Sequence, residues 1–499
     1  MRESTGPVII LGAGPAGLSA AYELSAKGVP CAILEQDSVV GGLARTVEYK
    51  GYRFDIGGHR FFTKLPLVEK IWKDVLGDDL LVRPRLSRIY YRAKFFRYPL
   101  EPMDAFMGLG PAESLRCVAS FVRARLAPSW PEDDLETWVS NRFGRRLFET
   151  FFKGYTEKVW GLPCRQICAE WGSQRIRGLS LSSLLWNSIA GNRRNGRTPK
   201  TLVREFYYPR LGPGMMWSRM QEIVERQGAR VVFNAPVEEI CWQRGRIIGV
   251  RARGTLYTGE HFISSIPIRE LIMRLTPQPP EKLRHAMHDF HYRDFITVAL
   301  IIRGSRLFPD NWIYVHDPAV AVGRIQNYAN WSLEMTPDPA TTCLGFEYFC
   351  QHGDSLWTMP DEKLREQAMR ELAHLGLGDP NAVIDAKVVR VPRAYPVYDA
   401  VYQRGIAAIR RFLGAVPNLQ LVGRNGMHRY NNQDHSMLTA ILAARNVMGA
   451  SYDLWDLKID SGYLEEGNRL DATDLQALEA TQPSVPGLIA SAFRRHSAG

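Results

Sequence analysis

Several features are scarce in this chain, and each scarcity excludes a class. No stretch reaches the roughly 18 uninterrupted apolar residues that a membrane-spanning helix needs. The seven cysteines are odd in number and scattered, which gives neither a disulfide framework nor a zinc spacing. Cys164 and Cys168 have no second ligand pair, so they read as free thiols of a reducing cytoplasm, where the protein is expected. The N-terminus runs almost directly into an apolar strand, so no signal peptide is expected. No internal repeat is visible, no Ser-His-Asp set stands out, and no metal set is expected. Basic residues outnumber acidic ones, giving a net charge of +11. They spread widely, however, with one denser loop, Asn192–Arg197. Without an RNA motif or a DNA-reading helix, nucleic acid is not an expected partner. An anionic small substrate suits such a surface equally well.

What is present begins at once. Val8-Ile9-Ile10-Leu11 reads as a strand and Ala20-Ala21-Tyr22-Glu23-Leu24 as a helix. Between them Gly12, Gly14 and Gly17 hold the G-x-G-x-x-G spacing, with Pro15 and Ala16 inside it. Such a turn lets backbone approach a pyrophosphate, and the helix N-terminus offers it free N–H groups. Roughly 20 residues on, a second apolar run, Cys31–Leu34, ends in Glu35, placed to bind a ribose hydroxyl. Gly41-Gly42-Leu43-Ala44-Arg45 and then Gly57-Gly58-His59 follow. Two further glycine pairs beside a flat ligand suggest a cofactor longer than a nicotinamide half explains. Val237, then Gly423-Arg424 closing a buried strand, then Ser436, which opens a strong helix over 436–444, are further expected cofactor contacts. A helix starting there can stabilise negative charge on the ring it faces.

The expected fold class is α/β. A Rossmann-like dinucleotide-binding domain is expected to interleave with a helical domain and an antiparallel-sheet substrate domain. The expected boundaries are 1–100, 212–272 and 415–450 for the cofactor domain and 101–211 for the helical lid. The sheet domain is expected over 273–414 and a loosely held extension over 451–499. The strand pair Leu86–Arg92 and Lys94–Tyr98, turning near Ala93, falls within the first cofactor stretch.

The glycine clusters resemble the glutathione-reductase-type FAD fold of the FAD-dependent amine oxidase and protoporphyrinogen oxidase superfamily. The run Lys153-Gly154-Tyr155-Thr156-Glu157-Lys158-Val159-Trp160-Gly161 is similar to one in the helical domain of UDP-galactopyranose mutases. The order of further motifs agrees: Gly57–Thr63, Arg175-Ile176, Gly323-Arg324-Ile325, Ala394–Val397, then Tyr430 and Asp434-His435. That resemblance implies a pyranose–furanose mutase acting on a nucleotide-diphosphate sugar. Reduced flavin N5 would be the nucleophile on the anomeric carbon, with NAD(P)H a candidate external reductant and a homodimer the expected assembly. The implied catalytic residues are His59, Arg175, Arg324, Tyr395 and Tyr430. Phe151, Tyr155, Thr156 and Trp160 join Arg175, Arg324 and the two tyrosines at the substrate. Arginines suit a diphosphate. Leu179–Ser182 lacks the mutases' nucleobase-contacting aromatics, which leaves sugar and nucleotide open. An FAD-dependent oxidase or dehydrogenase, taking hydride from a sugar, amine or other small substrate, is the main alternative. A non-catalytic flavin-binding protein is a third.

Overall fold

The computed structural model describes residues 6–98, 100–169, 205–288, 290–305, 307–399 and 402–457. Arg175, Leu179–Ser182, the 192–197 loop and the tail beyond 457 lie outside the described residues.

The first apolar run is β1 (Val8–Leu11), buried at every position because both faces are covered. It is the middle strand of a five-stranded parallel sheet. β2 (Cys31–Leu34) pairs on one side, with Ile33 opposite Ile10, and His261–Ser264 pairs on the other, with Ile263 opposite Ile10. Leu419–Leu421 and Arg230–Val232 form the two edges. α1 (Pro15–Ser25) connects β1 to β2 and packs against the helices Gln433–Val447 and Gly214–Arg226. One layer therefore draws on three distant stretches of chain.

A seven-stranded sheet forms the second layer. Tyr292–Arg303 and Thr341–Cys350 lie side by side near its centre. They are mostly apolar and buried along nearly their whole length. Leu364, Ala368 and Leu372 of the helix Asp361–His374 cover one face, while Phe54, Tyr208 and Trp331 belong to the core on the other.

The hairpin Ser87–Tyr91/Lys94–Arg97 departs from its expected place. It extends this second sheet, with Ser87–Tyr91 running parallel to Trp312–Val315. The physical reason is its backbone register with Trp312–Val315, fastened by a bidentate ion pair: Arg88 Nε and Nη2 donate to Asp310 at 2.8 and 2.6 Å, and the aspartate is fully buried. A helical region, from Leu135–Phe143 through Gly154–Trp160, then packs on Ile89 and Phe96 of the hairpin.

Candidate active site

A cleft of about 330 Å³ runs over the C-terminal ends of β1 and β2. Gly12, Gly14, Pro15, Ala16, Glu35, Gly42 to Arg45, Val237, Gly423, Arg424 and Ser436 line it. α1 begins against this cleft with no side chain capping its first N–H groups, leaving them for a phosphate. Gly17 sits behind the wall, where an added Cβ would come 1.8 Å from the Gly12 carbonyl oxygen. Helix and strand therefore touch through backbone.

The Glu35 carboxylate is buried and accepts from the backbone N–H groups of Ala13 at 2.7 Å and Asp37 at 2.9 Å. Burial raises its pKa, against those two hydrogen bonds. Arg45 pairs with Asp37 at 2.5 Å at the same end. Several wall atoms have no hydrogen-bond partner among the described residues: His59 Nδ1, Asn425 Oδ1 and Gln433 Oε1. Glycine floor, open helix terminus, ribose-height carboxylate and unsatisfied polar walls fit a dinucleotide such as FAD.

A second cavity, of about 390 Å³, opens from the first. The two share Leu43, Ile56, His59, Arg424, Asn432 and Gln433, and the described walls of the second are mostly aromatic and aliphatic. Tyr395 and Tyr430 stack there with ring centroids 5.6 Å apart and planes 17° from parallel. Trp160 stands 6.4 Å from each. The Arg424 guanidinium lies 4.6 Å from the Tyr430 centroid and 5.5 Å from that of Tyr395. Its Nε donates to the Asn431 carbonyl at 2.9 Å and its Nη1 to the Ala394 carbonyl at 3.1 Å. Arg424 therefore braces the two tyrosine segments against each other.

Tyr395 follows a bulge in its strand. Arg293 opposes Tyr395 but Phe295 opposes Val391. Arg393, with φ of +55°, occupies the bulge, its N–H bound to Asp294 and its guanidinium to Glu270. Bulges of this kind re-aim a side chain beside a site.

Arg324 lies in the same cavity, directly opposite Glu347 on the neighbouring strand. Nε at 2.7 Å and Nη2 at 2.5 Å both reach one oxygen, Oε2, of the fully buried carboxylate. Its charge is therefore partly spent within the sheet. Burial, assisted by the charges of Arg424 and Arg324, holds His59 down to a pKa of about 3, so its ring is neutral.

Tyr155 stacks on His316 at 4.5 Å and 12°. Lys158 holds the His316 loop by donating to the carbonyls of Val315, Asp317, Val320 and Val322 at 2.9–3.2 Å. Glu371 takes the N–H groups of Ala321 and Val322 from the other side.

The structure thus brings together around two joined cavities most of the residues singled out from sequence. Gly57, Gly58, Phe151, Tyr155, Thr156, Trp160, Arg324, Tyr395, Tyr430 and Asp434 line the second one. Gly17, Gly41 and His435 line neither. Sequence reasoning missed His316, Tyr314 and Glu347. The signal for the first two is alternation, since Trp312 and Tyr314 are two apart on one strand and His316 continues the spacing just past its end.

Comparison with known proteins agrees with this architecture. A profile described as flavin containing amine oxidoreductase matches residues 15–448. A phytoene desaturase (neurosporene-forming) of Cereibacter sphaeroides is 24% identical over 307 residues, 55% of this chain and 55% of that protein. An L-amino-acid oxidase of Sistrurus catenatus edwardsii is 30% identical over 134 residues, 23% of this chain and 26% of its own. The chain thus matches between about a quarter and about half of the length of these curated relatives. Among solved structures, reduced UDP-galactopyranose mutase superposes with a TM-score of 0.79 at 21% identity, over 90% of this chain and 97% of that one. Putrescine oxidase bound to putrescine gives 0.59 at 17% identity, over 89% and 99%. The chain belongs to the flavin containing amine oxidoreductase family and is an FAD flavoprotein resembling UDP-galactopyranose mutase in fold.

Proposed function

We propose that the protein is an FAD-dependent pyranose–furanose mutase of a nucleotide-diphosphate sugar. The observation that carries this reading is the aromatic cradle of Trp160, Tyr395 and Tyr430 in the second cavity, braced by Arg424, which lines both cavities. Bound in reduced form, the flavin supplies N5 as a nucleophile toward the anomeric carbon. The chain's own residues bind and orient. Tyr395 and Tyr430 present hydroxyl-bearing rings to a sugar, and Arg424 and Arg324 attract a diphosphate. Arg175, outside the described residues, is proposed as a third arginine for it. Neutral His59 offers one hydrogen bond without adding charge beside the cofactor. Mostly apolar walls exclude water and limit hydrolysis of an activated sugar. We further propose NAD(P)H as reductant, a homodimeric assembly and a cytoplasmic location.

The test is anaerobic incubation of the dithionite-reduced holoprotein with a panel of nucleotide sugars, resolved by chromatography. Conversion of one sugar into an isomer of equal mass is expected. Absence of isomerisation across the panel would end the mutase reading. One observation favours a second reading, net oxidation of a less charged substrate: Glu347 already neutralises Arg324 inside an apolar cavity. Oxygen consumption with loss of two hydrogens from a substrate would establish it.

A further inference from the structure

The helical region carries an apolar face on its outside. In the helix Pro111–Leu126, Ser114 is buried and Cys117, Ser120, Phe121 and Ala124 are half-buried. This is the side that packs on Leu135–Phe143. Leu115, Val118, Val122 and Leu126 recur at i, i+3, i+7 and i+11, which places them on one stripe of the opposite, exposed side. Leu115 is 71% exposed and Leu126 82%. The preceding helix, Pro102–Leu109, exposes Met103, Phe106 and Met107, and Trp130 beyond the second helix is 75% exposed. Apolar residues scattered singly on a surface need no explanation, but contiguous ones mark an interaction site.

Charge identifies the partner. Arg116 and Arg123, seven residues apart, border one side of the stripe, and Arg125 borders the other. Arg123 and Arg125 make no ion pair among the described residues, and Arg125 lies over the Phe121 ring at 5.5 Å. Arg116 meets only Glu113, at 3.3 Å, which Arg146 also holds. An apolar stripe between arginines, with a tryptophan at its end, is the arrangement of a helix lying in a lipid headgroup layer. Arginine stems there lie along the apolar surface while their heads reach anionic groups. A second copy fits less well. Two-fold pairing would set this arginine-bordered stripe against itself, bringing like charges together.

We propose that this face docks the protein peripherally on an anionic bilayer surface. The proposal does not depend on the substrate reading. The experiment is co-sedimentation of the full-length holoprotein with phosphatidylcholine vesicles, with and without phosphatidylglycerol, at low and high salt. Binding to the anionic vesicles at low salt is expected, with little binding to phosphatidylcholine alone. Both the Leu115→Glu/Leu126→Glu and the Arg123→Glu/Arg125→Glu variants should weaken partitioning by about ten-fold or more. Flavin content and Tm should stay at parental values, since both pairs are on the surface. Wild-type protein remaining in the supernatant, or variants that bind equally, would overturn the proposal. So would a dimer in sedimentation velocity that Leu115→Glu/Leu126→Glu dissociates, which would make the occupant a second copy. Vesicle binding seen only after truncation at residue 457 would overturn it too, and would assign the face to the chain beyond that residue.

Discussion

Arg324 is where reading by residue type meets its limit. An arginine near a substrate motif suggests a phosphate contact. Its partner Glu347 is 23 residues away in sequence and comes opposite only through antiparallel register, which no local spacing announces. The pairing changes what a mutation reports. Arg324→Ala leaves a fully buried carboxylate uncompensated and should cost about 3–5 kcal/mol, visible as a Tm drop with or without ligand. Arg324→Lys keeps Glu347 paired but loses the fork. It should weaken nucleotide-sugar affinity by about ten-fold while Tm and flavin content hold. Unchanged affinity in calorimetry would remove Arg324 from the substrate site. Glu35 was legible, because an acid closing the second strand has one familiar role. Glu35→Gln turns an acceptor of two N–H groups into a side chain that presents a donor to one of them. FAD affinity should fall by about ten- to a hundred-fold, read as the flavin-to-protein absorbance ratio after desalting.

At the scale of elements, the β1–α1–β2 unit was readable because it is local: run, glycines, helix, run and acid follow one another. The hairpin Ser87–Tyr91/Lys94–Arg97 was readable as a hairpin but not as part of the second sheet. Its attachment depends on Asp310, over two hundred residues away. The same holds for the His316 loop, whose shape comes from Lys158 on one side and Glu371 on the other. Sequence places Lys158 in a substrate motif, whereas its ammonium faces four carbonyls of that loop. Two glycines of one turn should separate under substitution. Gly14→Ala meets only the Gly42 Cα, at 3.9 Å, so the protein should fold with a near-parental Tm yet retain little flavin. Gly17→Ala forces α1 off β1 and should abolish soluble folded protein, checked by circular dichroism and expression yield. Equal behaviour of the two variants would contradict this division.

For the whole molecule, buried imidazoles set the response to acid. His59, His316 and His428 are each held near pKa 3, chiefly by burial. In the unfolded chain they titrate near 6.5, so folding excludes protons that the unfolded state binds. Their contribution is complete above about pH 6.5 and drains away as pH falls toward 3. Asp55 acts in the opposite sense. Burial raises it to about 7, so its contribution is present below about pH 4 and lost as pH rises through 7. Three imidazoles against the raised carboxyls of Asp55 and Glu35 predict net loss of stability below pH 6.5. His428 is 1% exposed, with φ of +47°, a conformation asparagine tolerates. His428→Asn should therefore lower Tm overall yet flatten its fall between pH 6.5 and 4.5, because one proton fewer is taken up on unfolding, worth up to about 1.4 kcal/mol of stability per pH unit. An unchanged slope in a Tm–pH series would exclude His428 from the acid response.

The parallel sheet also sets a timetable. β1 emerges first from the ribosome, but one flanking strand ends at Ser264, and the edge strand Leu419–Leu421 and helix Gln433–Val447 come far later. Gly423, Arg424 and Ser436 of the cofactor cleft arrive with them. The glycine turn that announces a nucleotide in the first twenty residues thus cannot close on one until synthesis has passed residue 447. A chain interrupted before Leu419 carries an apolar parallel sheet without its last strand, and one interrupted before Ser436 has an incomplete cofactor cleft.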